Sequence, residues 1–151
     1  MIAIGRLKPG PELSLVEDYA NRLKPAPAQL GPLGVIEIDE RKGERSIVQS
    51  VETAIAGLAA GTRLIALDER GEHMTTRQFA DQLAAWRDQG VPEVGFLIGG
   101  PDGLDDGLLR KAERKLSLGR MTWPHRLARA MLAEQLYRAA SLLAGHPYHR
   151  E

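Results

Sequence analysis

Short apolar runs alternating with longer amphipathic stretches constrain this chain more than any other feature. The runs are Ile2-Ala3-Ile4, Val35-Ile36-Glu37-Ile38, Arg63 to Leu67, Glu93 to Ile98 and Leu116-Ser117-Leu118. Between and after them the spacing predicts helices over Glu12–Leu23, Glu44–Ala60, Thr76–Gln89, Leu104–Lys115 and Pro124–Ala144. Leu15, Tyr19 and Leu23 share one face of the first helix. Gly43 and Gly61 bound the second, and Gly90 ends the third. Pro25, Pro27 and Pro32, with Gly31 and Gly34, make the intervening segment a loop. Strands alternating with helices of this length form a parallel sheet covered on both faces. Leu64-Ile65-Ala66-Leu67 and Val94-Gly95-Phe96-Leu97-Ile98 lack in/out alternation, as strands buried on both faces do. The expected fold class is therefore α/β.

A length of 151 residues predicts one domain over 1–151. With 43% hydrophobic and 26% charged residues, composition excludes a disordered chain. No stretch of about 18 apolar residues exists to span a membrane. The opening residues lack a basic leader before a long apolar run, so no secretory signal is expected. Cysteine is absent. That removes disulfides, a thiolate nucleophile and thiolate metal sites, and fits a reducing cytoplasm. Twenty Lys/Arg balance twenty Asp/Glu, whereas bulk polyanion binders are strongly basic. The distribution is uneven: residues 1–107 hold 11 basic and 17 acidic side chains, residues 108–151 hold 9 and 3. The basic end either faces an anion or carries solvated helix faces.

Ligands of such sheets sit at the carboxyl ends of strands. The fourth strand runs into Gly99-Gly100-Pro101-Asp102-Gly103, where glycines permit close backbone approach to a ligand or a tight turn. The pattern is neither GxGxxG nor a Walker loop. Asp68-Glu69-Arg70-Gly71-Glu72 follows the third strand, its acid meeting a ribose or an ammonium group, or only water. After the fifth strand come Gly119-Arg120-Met121-Thr122-Trp123-Pro124-His125. Thr122 is a candidate helix cap and Pro124 a candidate first helical residue. Met121 and Trp123 offer apolar surface for an adenine ring or a thioether, or for core packing. The last helix carries an apolar band suited to core and subunit interface. Its Arg126, Arg129 and Arg138 suit phosphate or a solvated face. The tail His146-Pro147-Tyr148-His149-Arg150-Glu151 gathers groups that stack on a base, bind phosphate and exchange a proton near neutrality. His146 and His149 lack a third ligand at metal spacing, so no metal is expected.

Taken together, Leu97-Ile98-Gly99-Gly100-Pro101-Asp102-Gly103, Leu116-Ser117-Leu118, Met121-Thr122-Trp123-Pro124-His125, Ala133-Glu134-Gln135-Leu136-Tyr137-Arg138-Ala139 and the tail resemble one family in order and spacing. It is the RlmH family, the 23S rRNA pseudouridine-N3 methyltransferases of the SPOUT class. The likeness spans essentially the whole chain and is strongest from Leu64 onward; residues 10–50 are looser. Asp102 replaces a commoner Glu, and Gly119 stands where Ser is often seen. The resemblance implies a trefoil knot near the C-terminus holding S-adenosylmethionine against Leu67, Gly99, Leu118, Gly119, Arg120, Met121, Thr122 and Trp123. It implies a homodimer whose second subunit completes the site, with Tyr148, His149 and Arg150 facing the methyl donor, and 23S rRNA in the ribosome as substrate. His149 is the first choice of base and Glu151 the second. Arg150, with Arg129 as a further candidate, is expected to hold RNA phosphate and Tyr148 to orient the base. The alternatives are a methyltransferase acting on another rRNA or tRNA nucleotide, a non-catalytic ribosome-binding protein, and a nucleotide-binding regulatory module.

Overall fold

The computed structural model describes residues 1–148. Its strands are β1 (Ile2–Ile4), β2 (Ile36–Ile38), β3 (Arg63–His73), β4 (Val94–Ile98) and β5 (Arg114–Ser117). Its helices are α1 (Pro11–Leu23), α2 (Glu44–Ala56), α3 (Thr76–Asp88), α4 (Asp106–Lys111) and α5 (His125–Leu143), with a 3₁₀ turn at Pro27–Gln29. All five strands lie in one sheet of order β2-β1-β4-β3-β5. Every pairing is parallel.

The pleat divides the core in two. Ala3, Ile65, Phe96 and Ile98 point to the face covered by α3 and α5, where Phe79, Leu83, Trp86 and Leu132 pack on them. Ile2, Ile4, Ala66 and Leu97 point to the face covered by α2 and α4, against Val51 and Leu108. Both faces are buried, which is why the strands read as unbroken apolar runs. α3 begins with a capping box: the Gln78 backbone N–H donates to Thr75 Oγ1 at 3.2 Å, and the Thr75 N–H donates to Gln78 Oε1 at 2.8 Å.

The structure corrects several expected boundaries. The predicted loop Asp68–Glu72 belongs to β3, which runs on to His73. Leu67 and Glu72 both pair with Leu116, so the four residues between them leave the ladder and return to the same place. Gly71 permits this return, since a Cβ there would fall 2.7 Å from the Lys115 and Leu116 backbone. α2 ends at Ala56 rather than Ala60. α4 spans only Asp106–Lys111, because Ala112 is extended and Arg114 already pairs with Ile65. Thr122 is not the cap of α5; Pro124 occupies that position with ψ 134°, outside the helix, and no side chain caps it.

Candidate active site

Register brings three strand ends to one edge. Ala66 pairs with Leu97, and Leu67 with Leu116. The chain leaves β4 and β5 there through Gly99 and Leu118, and β3 departs from its ladder after Leu67. Gly99 is buried, and its missing side chain is structural: a Cβ would lie 2.3 Å from the Gly103 carbonyl carbon. The loop closes on itself through the Gly103 N–H, which donates to the Gly100 carbonyl at 3.0 Å. Asp105 Oδ1 accepts from the Gly107 N–H at 2.7 Å and caps α4.

The segment after β5 is stiff at its root and open beyond. Ser117 is buried, and its hydroxyl donates to the Gly119 carbonyl at 2.8 Å. Gly119 has φ +139°, a region L side chains rarely adopt, and a Cβ there would meet only Trp123 Nε1, at 3.6 Å. Arg120, Met121, Thr122 and Trp123 then lie on the surface. Met121 is 73% exposed and Trp123 39%. Exposed apolar side chains that follow Gly119 at the carboxyl end of β5 offer surface for a flat heterocycle. A cleft of about 510 Å³ continues from Leu118 and Gly119 between α1, the start of α3 and α5, past Tyr19, Thr76, Met131 and Glu134.

The remaining candidates fall elsewhere. Asp68 Oδ1 accepts from the Arg70 N–H at 2.7 Å, so this carboxylate closes its own turn. Arg129 is fully buried. It donates through Nη2 to the Ile4 carbonyl at 2.6 Å and through Nη1 to Glu37 Oε1 at 3.2 Å. Burial pulls its guanidinium below the ordinary value, opposed by Glu37 and Glu40. Arg129 is therefore a tie between the ends of β1 and β2 and α5, which corrects its expected role at phosphate. Arg138 is engaged too, donating through Nε to Glu134 Oε1 at 2.8 Å. Tyr148 lies against α1 and α5, its hydroxyl 3.2 Å from both Tyr19 Oη and Glu134 Oε1. His149, Arg150 and Glu151 lie outside the described residues. No group of three or more potential metal ligands exists among the described residues, and none of their helices is long and apolar enough to cross a membrane.

A five-stranded parallel α/β sheet with loops gathered at one carboxyl edge is the class that the structure defines, and comparison with known proteins narrows it. Residues 1–149 match the family model described as a predicted SPOUT methyltransferase, and the chain belongs to that family. Its relatives include the ribosomal RNA large subunit methyltransferase H of Dinoroseobacter shibae, 49% identical over 99% of this chain and 97% of the relative. The protein of the same name from Xanthobacter autotrophicus is 47% identical over the same shares. Among solved structures, a probable methyltransferase from Bordetella pertussis superposes with a TM-score of 0.58 over 92% of this chain and 94% of that one. At 15% identity that likeness supports the fold alone.

Proposed function

We propose that the chain is an S-adenosylmethionine-dependent methyltransferase that methylates N3 of a pseudouridine in large-subunit ribosomal RNA. The observation that carries this reading is full-length identity of 47–49% to relatives named as ribosomal RNA large subunit methyltransferase H. The edge shared by β3, β4 and β5 supports it. The glycines and exposed apolar side chains there suit the cofactor, which Leu67, Gly99 and the stretch 118–123 would hold. The trefoil threading implied by the resemblance belongs to the same proposal, as do a single domain over 1–151, a homodimer that completes the site, and a cytoplasmic location.

When bound, the sulfonium supplies an activated methyl group. The protein must then set the acceptor nitrogen in line at about 3–3.5 Å. It must also take the N3 proton as the new N–C bond forms and the C–S bond breaks. His149 is the proposed base, Glu151 its alternative, with Tyr148 orienting the nucleobase and Arg150 on phosphate. His149→Ala lowers single-turnover methyl transfer by roughly 10²–10⁴-fold if the imidazole takes that proton. Tritiated-methyl transfer to ribosomes, followed by nucleoside analysis, tests the whole reading. Label in N3-methylpseudouridine of the large-subunit RNA is the expected result; label in any other nucleotide refutes the substrate.

A further inference from the structure

The chain has three tyrosines, and all three meet at one place. Tyr137 on α5 lies 6.0 Å from the ring of Tyr19 on α1 and 4.8 Å, edge-on, from that of Tyr148. The polar ends form a chain of donors with one consistent direction. Glu134 can only accept, so Tyr148 donates to it at 3.2 Å, and Tyr19 then donates to Tyr148 at 3.2 Å. Arg138 completes the seat: it donates to the same carboxylate oxygen, and its guanidinium lies 5.0 Å from the Tyr148 ring centroid. Gln135 Nε2 holds the other oxygen at 2.8 Å. Glu134 is thus oriented by Arg138 and Gln135 on its own helix, with room on Oε1 for the Tyr148 hydroxyl.

A chain terminus is ordinarily frayed unless something ties it down. Here the tie is specific, and it lies beside the site. Tyr19 and Glu134 line the same cleft that opens from Leu118 and Gly119. We propose that Tyr19 and Glu134 are positioning residues for the reaction: together they seat Tyr148, the tail residue proposed to orient the nucleobase. This rests on the proposed catalytic part of the tail. It adds two residues, one on α1 and one on α5, that need not touch substrate or cofactor.

The seat has a spectroscopic signature apart from activity. Burial raises the Tyr148 phenol above its ordinary value, and Glu134, as a nearby negative charge and as the acceptor of its proton, raises it further. In alkaline titration followed by tyrosinate absorbance, the Tyr148 step, assigned as the one missing in Tyr148→Phe, should lie at lower pH in Glu134→Gln than in the wild-type protein. An unmoved Tyr148 step would overturn the seat. In single-turnover transfer to ribosomes, Tyr19→Phe and Glu134→Gln should each be slowed about tenfold, with cofactor dissociation constants within twofold of wild type. Tyr148→Phe combined with Glu134→Gln should be no slower than the worse single variant, because the two act as a unit. Wild-type rates in Tyr19→Phe and Glu134→Gln, or multiplying losses in the double variant, would overturn the positioning role. His149→Ala, run in parallel, separates the two ideas: wild-type transfer there sinks the catalytic tail, whereas the titration still reports the seat.

Discussion

Two glycines at the site differ in what a side chain would meet, and their substitutions separate accordingly. At Gly99 the backbone conformation is ordinary but there is no room, the Gly103 backbone standing where a side chain would begin. Gly99→Ala should displace the loop and cost about 1–3 kcal/mol by overpacking, read as a lowered urea midpoint. At Gly119 there is room but the backbone, at φ +139°, is one that Ala resists. Gly119→Ala should weaken S-adenosylmethionine binding roughly tenfold by calorimetry, from about 1–3 kcal/mol of loop strain. His125 makes a third residue-scale case. Its Nδ1 is buried without a partner, and burial lowers its pKa, reinforced by Arg129 and Arg126 and opposed by Glu40. The unfolded imidazole titrates near 6.5. Below that pH the unfolded chain binds the proton more readily than the folded one, so stability is full above 6.5 and falls as the solution is acidified through the folded value. Urea unfolding from pH 8 to 5 should show this loss, and His125→Gln should flatten it.

Among the elements, α3 and β4 respond to different forces. Thr75→Ala removes the acceptor of the capping box and should cost about 1 kcal/mol. Leu97→Ala empties a fully buried position in the central strand β4 and should cost about 2–5 kcal/mol, measured by the same unfolding curves. The strands around Leu97 and Ile65 were legible in sequence because burial on both faces leaves an unbroken apolar run. The far half of β3 was not. Asp68-Glu69-Arg70-Gly71-Glu72 has the composition of a turn, and only pairing with Leu116 and Ser117, more than forty positions away, makes Glu72 and His73 strand. The tight loop after β4 was legible because its glycines follow a buried strand directly. Arg129 looked like any other helix arginine, since nothing near it in sequence reveals partners at Ile4 and Glu37. Tyr19 and Glu134 escaped for the same reason, although Glu134 stood inside a motif that carried the family likeness.

For the whole molecule, zero net charge conflicts with tight binding of naked RNA, whose affinity comes largely from displaced counterions. Assembled ribosomes, offering a shaped surface, should therefore be methylated much faster than free 23S rRNA at equal concentration; equal rates would refute recognition of the particle. The proposed dimer should sediment at twice the 16.5 kDa of one chain. The Arg129 tie also bears on how the chain is made. Its guanidinium reaches a carbonyl 125 positions earlier. At synthesis rates of roughly 5–20 residues per second, Ile4 waits roughly 6–25 s for its latch to be translated. Until then the Ile4 carbonyl lacks this partner, so a nascent chain that stalls before Arg129 can pair its first strand with β2 and β4 but cannot latch it to α5.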